Sequence, residues 1–157
     1  MNFEIKTATI KDIEDIQQLN QVLCTREHEE LDSTIVPDWP CSVAGQRFLK
    51  NRLTSKKSLV LLSYVDEKPA GYLIGSISKV ERYRLLSPYA ELENMYVLRK
   101  YRKNGLGTAM FERFLQWCED REVKRVRSIT SVRNPLGLKF YKRCGFVDYF
   151  MVMEMEL

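Results

Sequence analysis

Residues Val97 to Thr108 read "VLRKYRKNGLGT", and this stretch decides the fold. An apolar strand runs straight into a basic turn holding two glycines, and the turn runs straight into a helix. The first N–H groups of a helix have no acceptor inside it, and the helix dipole adds partial positive charge at the same end. Gly105 and Gly107 keep side chains away, so an anion can approach the backbone. Arg102 and Lys103 add charged donors beside them. The segment predicts a phosphate cradle, although two glycines alone also suit a tight turn. It matches neither the P-loop, with four residues between its glycines and Lys–Ser/Thr after them, nor G-x-G-x-x-G.

Working outward, Tyr89–Leu98 reads as the strand feeding the turn. Leu106, Ala109, Met110, Phe114 and Trp117 recur at helical spacing and predict a helix over 105–121. Further upstream, "FEIKTA" (Phe3–Ala8) alternates as a short strand and Thr9–Asp12 marks a helix entry. Ile13, Ile16, Leu19 and Leu23 then predict a helix over 12–26. A polar, acidic stretch, Glu27–Asp32, and a loop with Pro37 and Pro40 follow, then a helix over 42–54. Ser58–Val65 and 70–80 read as a hairpin around Asp66–Pro69, with a loop over Arg82–Pro88. Downstream, 126–132 is expected as a strand, Asn134–Gly145 as a short helix and Phe146–Glu156 as a last strand. This order predicts one mixed α/β sheet with helices on its faces, and 157 residues suit one domain.

Hydrophobic residues make up 45% and charged residues 29% of the chain, the profile of a globular protein. The net charge of +4 is spread over clusters at Arg99–Lys103, Lys124–Arg127 and Lys139–Arg143, which is weak support for nucleic-acid binding. The four cysteines, Cys24, Cys41, Cys118 and Cys144, are far apart, and His28 is the one histidine, so a zinc site has few ligands to draw on. Free thiols in a reducing, cytoplasmic setting are expected. No leader pattern is visible, and no apolar run approaches the roughly 20 residues a membrane span needs.

The spacing Arg102-x-x-Gly105-x-Gly107 after Tyr96–Val97 resembles the R/Q-x-x-G-x-G/A signature of the GNAT acetyltransferases. "FEIKTATIKDIEDI" resembles that family's opening strand and helix, "AELENMYV" its fourth strand and "NPLGLKFYKRCGF" its later motif. Lys103 departs from the pattern, since many members carry glycine there. The resemblance implies a single-domain GNAT fold over 1–157, with a mixed central sheet, splayed fourth and fifth strands and helices on both faces. It implies acetyl-CoA as co-substrate. Its pantetheine arm would lie along Met95, Tyr96 and Val97, and its pyrophosphate on Arg102, Lys103, Asn104, Gly105, Leu106, Gly107 and Thr108. Asn134 would touch the pantetheine arm, though an Asn before Pro135 is also a good helix cap.

Transfer to an amine needs an acid at the departing thiolate and a base for the amine. Tyr141 lies two helical turns after Asn134, so both can face one cleft. Its phenol, with a reference pKa of about 10, keeps a proton to donate. Neighbouring Phe140 reads as core. Glu91 and Glu93 are two apart on a strand and share a face; either can take the amine's proton, directly or through water, or both can line a solvated face. Glu93 matches the position where family members often place a base, as in diamine acetyltransferases with a similar "LE-x-x-x-V". An oxyanion formed on attack would meet strand N–H, as at Val97. No covalent intermediate is needed, so the cysteines take no role. His28 is expected at the surface, and by the resemblance the acidic residues around it border the acceptor site and suit a cationic amine. The expected activity is transfer of acetyl from acetyl-CoA to a primary amine of a small molecule or peptide. The alternative is a non-catalytic acyl-CoA-binding sensor, which needs neither Tyr141 nor Glu93. A homodimer through the last strand is possible on this reading.

Overall fold

The computed structural model describes residues 2–79 and 88–157. The loop expected over Arg82–Pro88 lies, apart from Pro88, outside the described residues. Among the described residues, five strands form one sheet in the order β1-β2-β3-β4-β5. These are β1 (Glu4–Thr7), β2 (Ser58–Val65), β3 (Lys68–Ser78), β4 (Tyr89–Val97) and β5 (Val126–Ser128). The first four pair antiparallel, and β4 pairs with β5 in parallel.

The run "SLVLLSYV" of β2 carries apolar residues on both faces because both sheet faces are covered. Leu59 and Leu61 face one core, shared with helix α3 (Leu106–Glu119). Val60 and Leu62 face the other, shared with α1 (Ile13–Glu30) and α2 (Val43–Thr54). Phe114 of α3 is fully buried and fills the space that Gly75 of β3 leaves, where an added Cβ would stand 2.3 Å from its ring. Phe114→Ala is expected to cost about 3–5 kcal/mol, the range for a large aromatic lost from a core, read by denaturant unfolding.

Helix α1 runs a turn beyond the predicted 12–26. Thr9 and Asp12 form a capping box at its entry. At the other end the acidic residues Glu27–Glu30, expected as a non-helical stretch, continue the helix. Nothing there breaks it, an Arg26–Glu30 ion pair of 2.7 Å spans the turn, and Leu31 is buried just beyond. His28 is half-buried, its Nδ1 2.7 Å from the Ile35 carbonyl, so it ties α1 to the next loop rather than standing free.

Two expectations at the far edge are corrected. The strand predicted over 126–132 stops at Ser128, and Ser131–Asn134 turns instead. The last strand, predicted over 146–156, does not form. Val147, Met151, Val152, Met153 and Met155 stand exposed. Alternation in "VMEMEL" marks strand capability, but a strand exists only where a neighbouring backbone accepts its hydrogen bonds. Helix α4 (Pro135–Arg143) ends in a Schellman turn on Gly145, at φ 91, with Gly145 N–H on Lys142 O and Phe146 N–H on Tyr141 O. This turn sets Phe146 against Tyr141 and Phe111.

Candidate active site

The site begins where β4 and β5 part. Their pairing runs from Ala90↔Val126 to Leu92↔Ser128, and the Ser128 hydroxyl donates to the Leu92 carbonyl at 3.1 Å. Beyond that pair β4 continues through Val97 without β5 beside it. A bulge sits at the same point: Gly75 pairs Leu92, but Ile74 pairs Asn94, leaving Glu93 as the extra residue. The bulge shifts the alternation, so Leu92 and Met95 pack on the same core.

Leu98 N–H bonds to Ala70 on the β3 side. Neighbouring residues of a strand aim their N–H groups at opposite edges, so those of Met95 and Val97 face the open edge. The Val97 carbonyl there already accepts from Arg102 Nε at 2.8 Å. The side chains of Met95 and Val97 pack on the core, while Tyr96 is buried on the α1 side with the Arg102 guanidinium 5.2 Å from its ring.

The turn after β4 delivers the N-terminus of α3 to the end of that edge. Gly105 is its N-cap at φ 82, and among the described residues there is no side-chain cap and nothing within 4 Å of where a Cβ would stand. The N–H groups of Leu106, Gly107 and Thr108 therefore open outward, as an anion cradle needs. Leu106 itself is buried and Thr108 is exposed. Gly107 serves packing: a Cβ would stand 3.1 Å from Met95 Cε and 3.6 Å from the Phe140 ring. Asn104 braces the turn by donating to the Arg102 carbonyl at 3.1 Å. Lys103 sits at φ 64, the left-handed conformation that glycine adopts freely. The strain for a side chain there is about 1–2 kcal/mol, against about 0.5–1 kcal/mol of entropy for a glycine. Lys103→Gly is expected to raise stability by up to about 1 kcal/mol and Tm by about 2–4 °C, checked by thermal melting.

On the opposite wall Asn134 caps α4. Its Oδ1 accepts from Gly137 N–H at 3.1 Å and its Nδ2 donates to Thr130 Oγ1 at 3.3 Å. The capping role expected of it is present, with both side-chain polar atoms engaged. A cavity of about 630 Å³ lies between α1, the end of β4 and the start of α4, with Gln21, Thr25, Tyr96, Arg102 and Leu136 among its walls. That volume is in the range of small-ligand sites.

Tyr141 stands at the apex of the split. It is half-buried against Phe140 and Phe146. Burial raises its phenol above the ordinary value, and the polar Ser128 side chain near it, on the last β5 residue paired with β4, pulls the other way. The phenol therefore holds its proton through neutral pH.

Glu91 and Glu93 share the α1–α2 face of the sheet, as expected, and both are paired. Glu93 accepts from Arg52 Nε at 2.6 Å and Nη2 at 2.8 Å, and from Ser76 Oγ at 2.5 Å. Glu91 faces Arg127 Nη2 at 3.3 Å. Sequence reading missed Arg52 and Ser76, which lie 41 and 17 residues from Glu93 and carry no local signal.

Residues 14–146 match the acetyltransferase (GNAT) family. An N-acetyltransferase of Methanocaldococcus jannaschii is 29% identical over 87 residues, covering 54% of this chain and 37% of that protein. An aminoglycoside N(6')-acetyltransferase type 1 of Acinetobacter baumannii is 25% identical over 103 residues, covering 62% and 68%. The chain thus spans well under half of the first relative and about two thirds of the second. Among solved structures, the tetramutant of the BH1408 protein of Bacillus halodurans superposes with a TM-score of 0.84 at 20% identity, covering 98% of this chain and 99% of that one. The aminoglycoside acetyltransferase AAC(6')-Iy, in complex with the bisubstrate analog CoA-S-monomethyl-acetylneamine, superposes with a TM-score of 0.78 at 18% identity, covering 100% and 99%. Both structures share the fold. The chain belongs to the acetyltransferase (GNAT) family.

Proposed function

We propose that this chain transfers the acetyl group of acetyl-CoA to a primary amine, by direct attack of the amine nitrogen. The observation that carries the reading is one continuous track: an uncapped helix N-terminus at Gly105–Thr108, an open strand edge at Met95–Val97, and a protonated phenol at the split. The residues present suit acetyl-CoA. Arg102, Lys103, Asn104 and the N–H groups of Gly105, Leu106, Gly107 and Thr108 would hold its pyrophosphate, and Met95, Tyr96, Val97 and Asn134 would border its pantetheine arm. When bound it supplies an acyl carbon activated as a thioester.

Tyr141 then gives its proton to the departing sulfur, and Val97 N–H faces the carbonyl oxygen. Arg52 and Ser76 hold Glu93, and with it the bulge that keeps β4 away from β5. Glu91, paired with Arg127, fastens the two strands just before they part. That the aminoglycoside acetyltransferase of the same fold is complexed with a CoA–neamine conjugate supports an amine acceptor.

The test is thiol release from acetyl-CoA with spermidine, neamine, lysine and an alanine-terminated peptide as acceptors. Amine-dependent release with at least one is expected. Tight acetyl-CoA binding with no release for any amine would instead make the chain an acyl-CoA-binding sensor.

A further inference from the structure

We infer that residues 147–157 are a pairing strand for a second copy of this chain: each copy's segment pairs antiparallel with the other's, about a two-fold axis at Val152. The inference stands apart from the transferase reading. The segment reads "VDYFMVMEMEL". Lys142 Nζ lies 2.6 Å from Asp148, and Arg125 Nη1 donates to Tyr149 Oη at 3.5 Å. By residue 149 the segment has therefore reached Arg125, just before β5 begins. Among the described residues β5 ends the sheet, and residues 150–157 run on with no strand beside them. Fully extended, they span about 25 Å.

Successive residues of a strand point to opposite faces. One face of this segment carries Val147, Tyr149, Met151, Met153, Met155 and Leu157, each more than half exposed. The other face alternates less cleanly, with Phe150 and Val152 among Asp148, Glu154 and Glu156. Eight of the fifteen large apolar side chains that stand exposed among the described residues fall within 147–157. Such a concentration is a patch, not the scattered exposure usual on a surface. An alternating segment without Pro or Gly is a template for pairing with another backbone.

The occupant that fits this segment is its own counterpart. A two-fold contact uses the same patch on both copies, so the patch must complement itself. With the axis at Val152, Met151 faces Met153 of the second copy, Tyr149 faces Met155 and Val147 faces Leu157. Every pair on that face is apolar, and cross-strand pairs of this kind are what stabilise a sheet. On the other face Val152 meets itself and Phe150 lies beside Glu154 of the second copy. Asp148 opposes Glu156, and Lys142, 2.6 Å from Asp148, sets a positive charge beside the two carboxylates. An axis at Met153 would set both Phe150 and Val152 against glutamates. An axis at Glu154 would set that carboxylate against itself.

The same register carries Met155 of the second copy to Tyr149, and so brings Glu154 and Glu156 of that copy toward Arg125 and the neighbouring Lys124, both exposed. Opposite charges thus meet where each segment leaves its own chain. Each copy extends the other's sheet by one strand. The strand that alternation predicts over 146–156 finds in the second copy the backbone partner it lacks in one chain alone.

Sedimentation velocity of the full chain over about 1–100 µM tests this. The wild type is expected at twice the 18.5 kDa of one chain toward the upper end. Val152→Pro removes a backbone donor at the axis, and Met151→Glu with Met153→Glu sets like charges across it. Either variant should weaken association at least about 100-fold and sediment as a monomer throughout. Met151→Lys with Met153→Glu sets opposite charges across the same pairs and should dimerise within about tenfold of the wild type. Met151, Val152 and Met153 are 80%, 82% and 86% exposed, so each variant should keep the wild-type circular dichroism. A wild type that stays monomeric overturns the proposal. So does a dimer that survives Val152→Pro, which puts the interface elsewhere, or one lost equally with both charge pairs. Hydrogen exchange as slow in 150–157 of dilute monomer as in the dimer would mean that the chain covers this segment itself, and would also overturn it.

Discussion

Tyr141→Phe is expected to lower kcat about 100-fold while acetyl-CoA binds within about threefold of the wild-type affinity. A general acid contributes about 10²–10⁴ to rate, and the low end applies because a thiolate leaves more readily than an alkoxide. Removing one oxygen leaves the ring contacts with Phe140 and Phe146 in place, so the fold and the cofactor seat stay intact. The pH profile separates a proton donor from a packing residue. The wild-type phenol is raised by burial, so its proton is present at neutral pH and is lost only above the ordinary phenol value. The wild type should therefore show no alkaline loss from Tyr141 below about pH 10. In the variant, poor leaving groups should suffer more than good ones, so an acyl donor with a more acidic thiol should recover part of the lost rate. Steady-state kinetics with two acyl thioesters reads this directly.

Gly107→Val should produce the largest loss of acetyl-CoA affinity. A single added Cβ already meets Met95 Cε at 3.1 Å and Phe140 at 3.6 Å, with Val97 Cγ2 at 3.8 Å. Two further methyls cannot be housed without moving the start of α3 away from β4. Overpacking of this kind costs about 1–3 kcal/mol of stability. The displaced N–H groups would lose charge-assisted hydrogen bonds worth about 1.5–3 kcal/mol each, so affinity should fall about 10- to 100-fold for one lost contact. Calorimetric titration of acetyl-CoA into the variant measures it, with free phosphate as a control for the cradle alone.

Much of this architecture is legible in the chain. The turn Arg102–Thr108, the stripe of α3 and the two-faced apolar run of β2 are local patterns, and each formed where its pattern lies. The acidic turn at the end of α1 was misread because charge alone does not stop a helix; a breaker or a cap does, and none stands between Glu27 and Leu31. The last strand failed for the opposite reason. Its alternation is local, but a strand needs an edge to pair with, and β5 ends at Ser128. In the site, Tyr141 and the cradle follow from spacing along one helix or one turn. The pairing of Glu93 with Arg52 and Ser76 does not, because it joins α2, β3 and β4 through a bulge that shifts the register by one residue.

A crystal structure of the protein soaked with CoA tests the central claim most directly. The pyrophosphate is expected on the N–H groups of Leu106–Thr108, the pantetheine amides paired with the open edge at Met95 and Val97, and the sulfur within hydrogen-bonding distance of Tyr141 Oη. A sulfur lying away from Tyr141, or a pyrophosphate bound anywhere other than the Gly105 turn, would contradict it.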